Sequence, residues 1–181
     1  MKIYKPTLVV LAVAVAALAV FAGVAGATTA ITVGDGWHGF GSSDNSAYTQ
    51  PPFTFTASGA VVVKVTDVLC PGDTYSVSDG ATLLGTTSPP GNSDCTYANN
   101  TGDPDQAFAD PTYSHGMWLL PAGAHSIGIA LSSSPFPGSG GYVRVDQVTK
   151  DMCKHGGWKA FGGASMQFTN QGQCAAVITS R

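Results

Sequence analysis

The chain has 181 residues, eight Lys or Arg against eleven acidic residues, and a formal net charge of -3. Every acidic residue is Asp, and the few basic residues form no patch or stripe, which excludes a nucleic-acid footprint and a cationic membrane-surface helix. With 23 Gly, 11 Pro and no Glu, the composition favours strands and turns over helices.

Residues 1–30 read as a secretory signal peptide. Lys2 and Lys5 precede an apolar run from Leu8 to Val24, and small residues follow from Ala25 to Ala30. Cleavage is expected after Ala27 or after Ala30. The competing reading is a retained anchor, since a span needs about 20 residues. The small-residue exit and the lack of basic residues beyond it favour cleavage. No later segment is apolar enough to span a membrane as a helix, so no membrane attachment is expected after the cut. The remaining chain carries six basic residues against eleven Asp.

Residues 31–148 read as one β-sandwich domain. Ile31-Thr32-Val33 through Phe40 forms an edge strand with aromatic anchors. Phe53 to Ala57 alternates apolar and polar, and Ala60 to Leu69 is the strongest strand pattern in the chain. Val61, Val63, Val65 and Asp67 fall on one face; Val62, Lys64, Thr66 and Val68 on the other. Ser58-Gly59 between these strands suggests a hairpin. Thr74 to Val77 and Thr82 to Thr87 flank an Asp79-Gly80 turn, a second hairpin signal. Residues 88–112 are a long polar excursion in which Gln106 to Ala109 forms one helical turn. Met117 to Leu120, His125 to Leu131 and Tyr142 to Val148 complete the set. At least seven short strands predict an all-β, two-sheet β-sandwich, jelly-roll-like, with a small barrel as the alternative.

Residues 149–181 form a Gly-rich tail expected to pack on the sandwich, with Ala175 to Thr179 as a closing strand. Four cysteines in an exported chain read as two disulfides. Sequence leaves three connectivities open; nearest-neighbour pairing, Cys70 with Cys95 and Cys153 with Cys174, is expected. A zinc site is the weaker rival, because close C-x-x-C spacing is missing.

The tail reads Cys153-Lys154-His155-Gly156-Gly157-Trp158, then Phe161-Gly162, then Phe168-Thr169-Asn170-Gln171-Gly172-Gln173-Cys174. It resembles the CKxGGW…F…FxNQGxC tail of a group of secreted bacterial proteins. The upstream stretches Pro52 to Thr56, Val65 to Asp73, Val77 to Thr86 and Ala109 to Gly116 resemble secreted bacterial and fungal β-sandwich proteins. The resemblance implies an extracytoplasmic module and carries no functional residue onto this chain.

Two kinds of site are candidates. Calcium takes several oxygen ligands from loops, and Asp67, Asp73 and Asp79 near the Cys70 turn, with Asp103, Asp105 and Asp110 in the excursion, supply carboxylates for a structural calcium ion. Aromatic rings give contact area with a polar handle; Trp37, Tyr97, Tyr113 and Trp118, with Tyr48, are candidates for glycan or cell-surface binding. The functional expectation is a secreted carbohydrate- or surface-binding module, extracellular or on the cell surface. The alternatives are a structural envelope or matrix component and, behind both, a hydrolase. A hydrolase would use Asp110, His115 and a serine, but no G-x-S-x-G or H-E-x-x-H motif is present.

Overall fold

A computed structural model describes residues 27–42, 51–96, 100–161 and 168–179. Most of the expected signal peptide lies outside them, as do Tyr48 and Tyr97. The strands are β1 (Thr29–Ala30), β2 (Trp37–Ser42), β3 (Phe53–Ala57), β4 (Val61–Asp67), β5 (Thr74–Asp79) and β6 (Thr82–Thr86). Helix α1 (Pro104–Ala109) follows, then β7 (His115–Leu120), β8 (Gly123–Ser133) and β9 (Ser139–Gln147). A 3-10 segment (Lys150–Lys159), two short turns broken by non-helical backbone at Lys154, His155 and Gly156, and helix α2 (Gln171–Thr179) close the described chain.

The first sheet runs β1-β3-β8-β5-β6 and the second β2-β9-β4-β7. Strands β2 to β9 therefore form an eight-stranded jelly roll, in which successive strands mostly change sheet. The two inner faces make one core. Val61, Val63, Val65, Val143 and Val145 meet Phe53, Phe55, Val77, Ile127 and Ile129, and Trp118 and Leu120 complete the layer. Full burial of each such side chain contributes on the order of 1.5–3 kcal/mol. The period-two pattern of β4 works as read, with Val62, Lys64 and Thr66 on the outer face.

Three expectations are corrected. Phe53–Ala57 and Val61–Asp67 do not form a hairpin: β3 pairs with β8 and β4 with β7 and β9, so the Ser58-Gly59 link passes from one sheet to the other. Both strands have a buried apolar face, and facing those two faces buries both. The edge strand begins at Trp37 rather than Ile31, because Asp35 closes a turn by accepting from the Thr32 N–H at 2.8 Å. Ala175 to Thr179 is helical, not a strand. Asn170 Oδ1 caps the helix by accepting from Gln173 N at 2.9 Å, and Gln173 Oε1 reaches back to Thr169 N at 3.0 Å. The expected Asp79-Gly80 hairpin is present as β5–β6.

The sandwich also reaches further towards the N-terminus than residue 31. Thr29–Ala30 pairs parallel to β3, with Thr29 N donating to Pro52 O and Ile31 N to Thr54 O, each at 3.0 Å.

Both disulfides join nearest neighbours, Cys70–Cys95 and Cys153–Cys174. The second ties the 3-10 segment to α2, and this stapled appendage sits on the outer face of the second sheet. There Cys153, Phe161, Phe168 and Cys174 cover Val62, Leu119 and Val148. Two glycines of the tail motif have separate reasons: Gly156 has φ +86°, and a Cβ on Gly157 would sit 2.2 Å from Met152 O. No helix among the described residues is long and apolar enough to cross a membrane.

Candidate functional site

The outer face of the second sheet is covered at one end by the appendage and across its middle by α1. Between them runs one cross-strand row: Trp37 on β2, Arg144 on β9, Lys64 on β4 and Met117 on β7. Helix α1 starts at an Asp103-Pro104-Asp105-Gln106 sequence that suits a helix N-terminus. Asp103 accepts from the Asp105 and Gln106 N–H groups, and Pro104 occupies the first turn where no N–H is missed.

That placement lets α1 grip the row. The Trp37 indole N–H donates to Asp105 Oδ1 at 2.9 Å, and Arg144 reaches the same oxygen at 3.5 Å. Asp146 receives Lys64 Nζ at 2.9 Å and Arg144 Nε at 2.8 Å. Burial raises the Asp146 pKa, but hydrogen bonds and charge from Arg144 and Lys64 outweigh it and hold the carboxyl below its ordinary value. Two cations thus meet two carboxylates, so the row offers no net charge. Phe108 of α1 lies with its ring centroid 5.8 Å from Trp37 and 5.2 Å from His115, and Lys64 Nζ is 5.7 Å from its centroid.

On the β7 side of Phe108 is a cleft of about 360 Å³, walled by Thr86, Ser88, Phe108, His115, Met117 and Ala160. His115 Nδ1 is 2.9 Å from Tyr113 O. A carbonyl only accepts, so Nδ1 carries hydrogen, and in the neutral ring Nε2 is left as an acceptor. The strand start is fixed by His115 N donating to Ser88 Oγ at 3.1 Å and Ser88 N to His115 O at 2.8 Å. Trp118 is only 2% exposed, yet its ring underlies the cleft; a Cβ on Gly116 would lie 2.4 Å from it.

The four aromatic candidates are not brought together. Trp37 is half-buried beside Phe108. Trp118 belongs to the inner face of β7 and fills the core, which corrects its expected role as an exposed contact. Tyr113 is corrected likewise: it is fully buried with Val68 and Ala107, and its hydroxyl bonds Leu69 O and Asn100 Oδ1. Tyr97 lies outside the described residues. Phe108 is not among the sequence candidates, because it lacks the polar handle of Trp and Tyr, although the expected helical turn over Gln106 to Ala109 is present within α1 and carries it.

The six aspartates are dispersed, and among the described residues no three His, Cys, Asp or Glu side chains converge on a metal position. Asp103 caps α1 and Asp105 holds Trp37. Asp110 Oδ1 accepts from Thr112 N at 2.8 Å in a turn. Asp79 bonds His125 Nδ1 at 2.7 Å and Ser126 N at 2.9 Å. His125 Nε2 faces Pro121 O at 3.0 Å rather than a serine, so this Asp–His pair is not part of a hydrolytic triad. Asp67 and Asp73 adjoin in a buried position. Asp67 is fully buried and accepts from the Val68, Gly72 and Asp73 N–H groups at 2.8–3.1 Å. Burial, then the neighbouring Asp73 charge, push Asp67 up to about 8 against those three bonds. Burial also raises Asp73, held back by Ser134, Tyr75 and Gly140.

No protein-family model and no curated protein matches the chain. Among solved structures it is similar to the pre-peptidase C-terminal domain of a collagenase from Bacillus anthracis, at 10% identity and a TM-score of 0.42, over 66% of this chain and 94% of that one. It is also similar to the C-terminal CBM6 of a marine laminarinase from Zobellia galactanivorans, at 20% identity and a TM-score of 0.30, over 54% and 68%. Likenesses this distant carry no functional information.

Proposed function

We propose that the protein is an exported, non-catalytic binding module that holds a neutral sugar unit of a glycan in the cleft beside Phe108. The observation that carries this reading is the pairing of an aromatic face with hydroxyl and imidazole groups in one depression. Phe108 and His115 supply ring surface; Ser88, Thr86 and His115 supply donors and acceptors. About 360 Å³ lies at the small end of ligand pockets, which run from roughly 300 to 1,000 Å³. The balanced charges of the adjacent row favour an uncharged ligand over an anionic one. Two disulfides fit an oxidising, extracytoplasmic compartment.

The test is calorimetric titration of the purified chain with a panel of neutral and acidic oligosaccharides, repeated with Phe108→Ala. Saturable binding of a neutral glycan is expected, weakened roughly two- to thirteenfold by the substitution, as suits an aromatic contact of about 0.5–1.5 kcal/mol. Binding that ignores Phe108, or a panel without a binder, defeats the proposal.

A second reading, a structural surface component, has one observation in its favour. Leu83 is 61% exposed on β6, an edge strand without Lys or Pro to deter pairing. Concentration-dependent assembly abolished by Leu83→Lys would support it; a chain monomeric at high concentration would not.

A further inference from the structure

We propose that Asp73 and the turn over residues 134–140 form a calcium site at the end of the sandwich next to the Cys70–Cys95 bridge. The turn over residues 71–73 and the β8–β9 connection meet tightly there. A Cβ on Gly72, which has φ +154°, would lie 2.7 Å from Pro135 Cγ. Behind this contact is a cleft of about 220 Å³ on whose wall Asp73 and Ser139 stand.

Two buried oxygen atoms here lack a hydrogen-bond partner. Asp73 is 4% exposed, and its Oδ1 has no hydrogen-bond partner; Ser139 Oγ is likewise buried without one. Asp73 Oδ2 is 3.1 Å from the Tyr75 hydroxyl, which is also 2.9 Å from Gly140 O. A phenol has a single proton to give, and Asp73 Oδ2 also accepts the Gly140 N–H at 3.3 Å, so the carboxylate oxygen without a partner is Oδ1. The Ser134 hydroxyl stabilises the Asp73 carboxylate and also lies 3.0 Å from Phe136 O within its own turn, so its one proton serves both. Leaving a buried carboxylate oxygen unmade costs more than an ordinary hydrogen bond is worth.

The charge count points the same way. Asp67 lies directly behind, bonded to the Asp73 N–H, so two carboxylates are buried side by side. Among the described residues every Lys, Arg or His ion pair goes to another aspartate: Asp35, Asp79, Asp105, Asp146 or Asp151. A hard divalent cation supplies the missing positive charge, and carboxylate, hydroxyl and carbonyl oxygens from loops are the ligands calcium takes. Calcium is preferred to magnesium because it accepts about six to eight oxygens in irregular geometry, whereas magnesium keeps several waters in a near-ideal octahedron. The sequence reading gathered six aspartates for calcium; the structure narrows the carboxylates to Asp73, with Asp67 behind it and the 134–140 turn supplying the other oxygens.

The test uses the purified chain stripped with chelator, then titrated with calcium chloride alone, following thermal unfolding and calcium by equilibrium dialysis at constant ionic strength. One calcium per chain is expected, with a dissociation constant on the order of 10⁻⁴–10⁻³ M, as in extracellular modules. The unfolding temperature should rise with calcium and respond less to magnesium. Ser139→Ala, which leaves the carboxylates in place, should weaken binding, and Asp73→Asn should remove it. A wild-type chain whose stability and dialysis show no calcium beyond matched sodium chloride overturns the proposal and leaves a proton on the carboxylate pair as the balancing charge. This outcome is separate from that of the glycan titration, since the cation lies away from the Phe108 cleft and calcium alone is the probe.

Discussion

The Trp37 indole N–H and the Asp105 carboxylate, 68 residues apart, meet at 2.9 Å and pin the edge of the second sheet to helix α1. The same carboxylate takes Arg144, so one side chain positions the helix that carries Phe108. Asp105→Ala should cost about 1 kcal/mol, the usual net worth of a hydrogen bond. Chemical denaturation followed by tryptophan fluorescence measures it. If Phe108 shapes the ligand cleft, the same variant should also weaken glycan binding, although Asp105 does not line it.

Gly116 is expected to be intolerant. The methyl group of Gly116→Ala would strike the Trp118 ring, and overpacking of this kind costs typically 1–3 kcal/mol. Because Trp118 underlies the cleft, the displaced ring should also change the cleft's shape. A shifted tryptophan emission maximum together with a lowered denaturation midpoint is the expected result.

Stability should fall as pH rises in chelator. Unfolded, Asp67 ionises at the ordinary 3.8; folded, at about 8. Between those values the folded chain holds a proton that the unfolded chain has released, so raising pH favours unfolding. The stabilisation is full below pH 4 and is lost as pH passes through about 8. Unfolding temperatures measured across this window should decline for the wild type and flatten for Asp67→Asn.

Removing the tail bridge by Cys153→Ser with Cys174→Ser should cost roughly 3 kcal/mol on the loop-entropy estimate. It should also loosen the cover over Val62 and Leu119. Dye binding to newly exposed apolar surface, with the β-sheet circular dichroism retained, would show the appendage detaching from an intact sandwich.

The expected signal cleavage can be checked by the N-terminal residue of any exported chain. Cleavage after Ala27 keeps Thr29–Ala30 as β1, whereas cleavage after Ala30 removes its two residues and its bond to Pro52. N-terminal sequencing of secreted material is expected to begin at Thr28.

Strand identity was legible because the inner faces are so uniformly apolar. Val61, Val63 and Val65 alternate with Val62, Lys64 and Thr66, and no helix period competes with that. Pairing was less legible. Ser58-Gly59 has the chemistry of a hairpin turn, and only the need to bury two apolar faces against each other sends β4 into the opposite sheet. Helix α2 was misread because Ala175 to Ile178 looks like strand, while the deciding groups, Asn170 and Gln173, stand before it. The site was legible in kind and not in place. The aromatic candidates are Trp and Tyr, chosen for a polar handle, but burial follows strand parity, so Trp118 faces inward, while Phe108, which lacks that handle, sits on the helical turn expected over Gln106 to Ala109.

The order of strands has a consequence for how the chain comes together in time. Within β2 to β9 only β5 and β6 are both consecutive and paired; β2 must wait for β9, about 100 residues later. A chain emerging N-terminus first cannot close its second sheet until nearly all of the sandwich is out. Contacts so distant in sequence make folding slow, in the millisecond-to-second range. Cys70 and Cys95 both emerge before β9, so their bridge can form while the second sheet is still open.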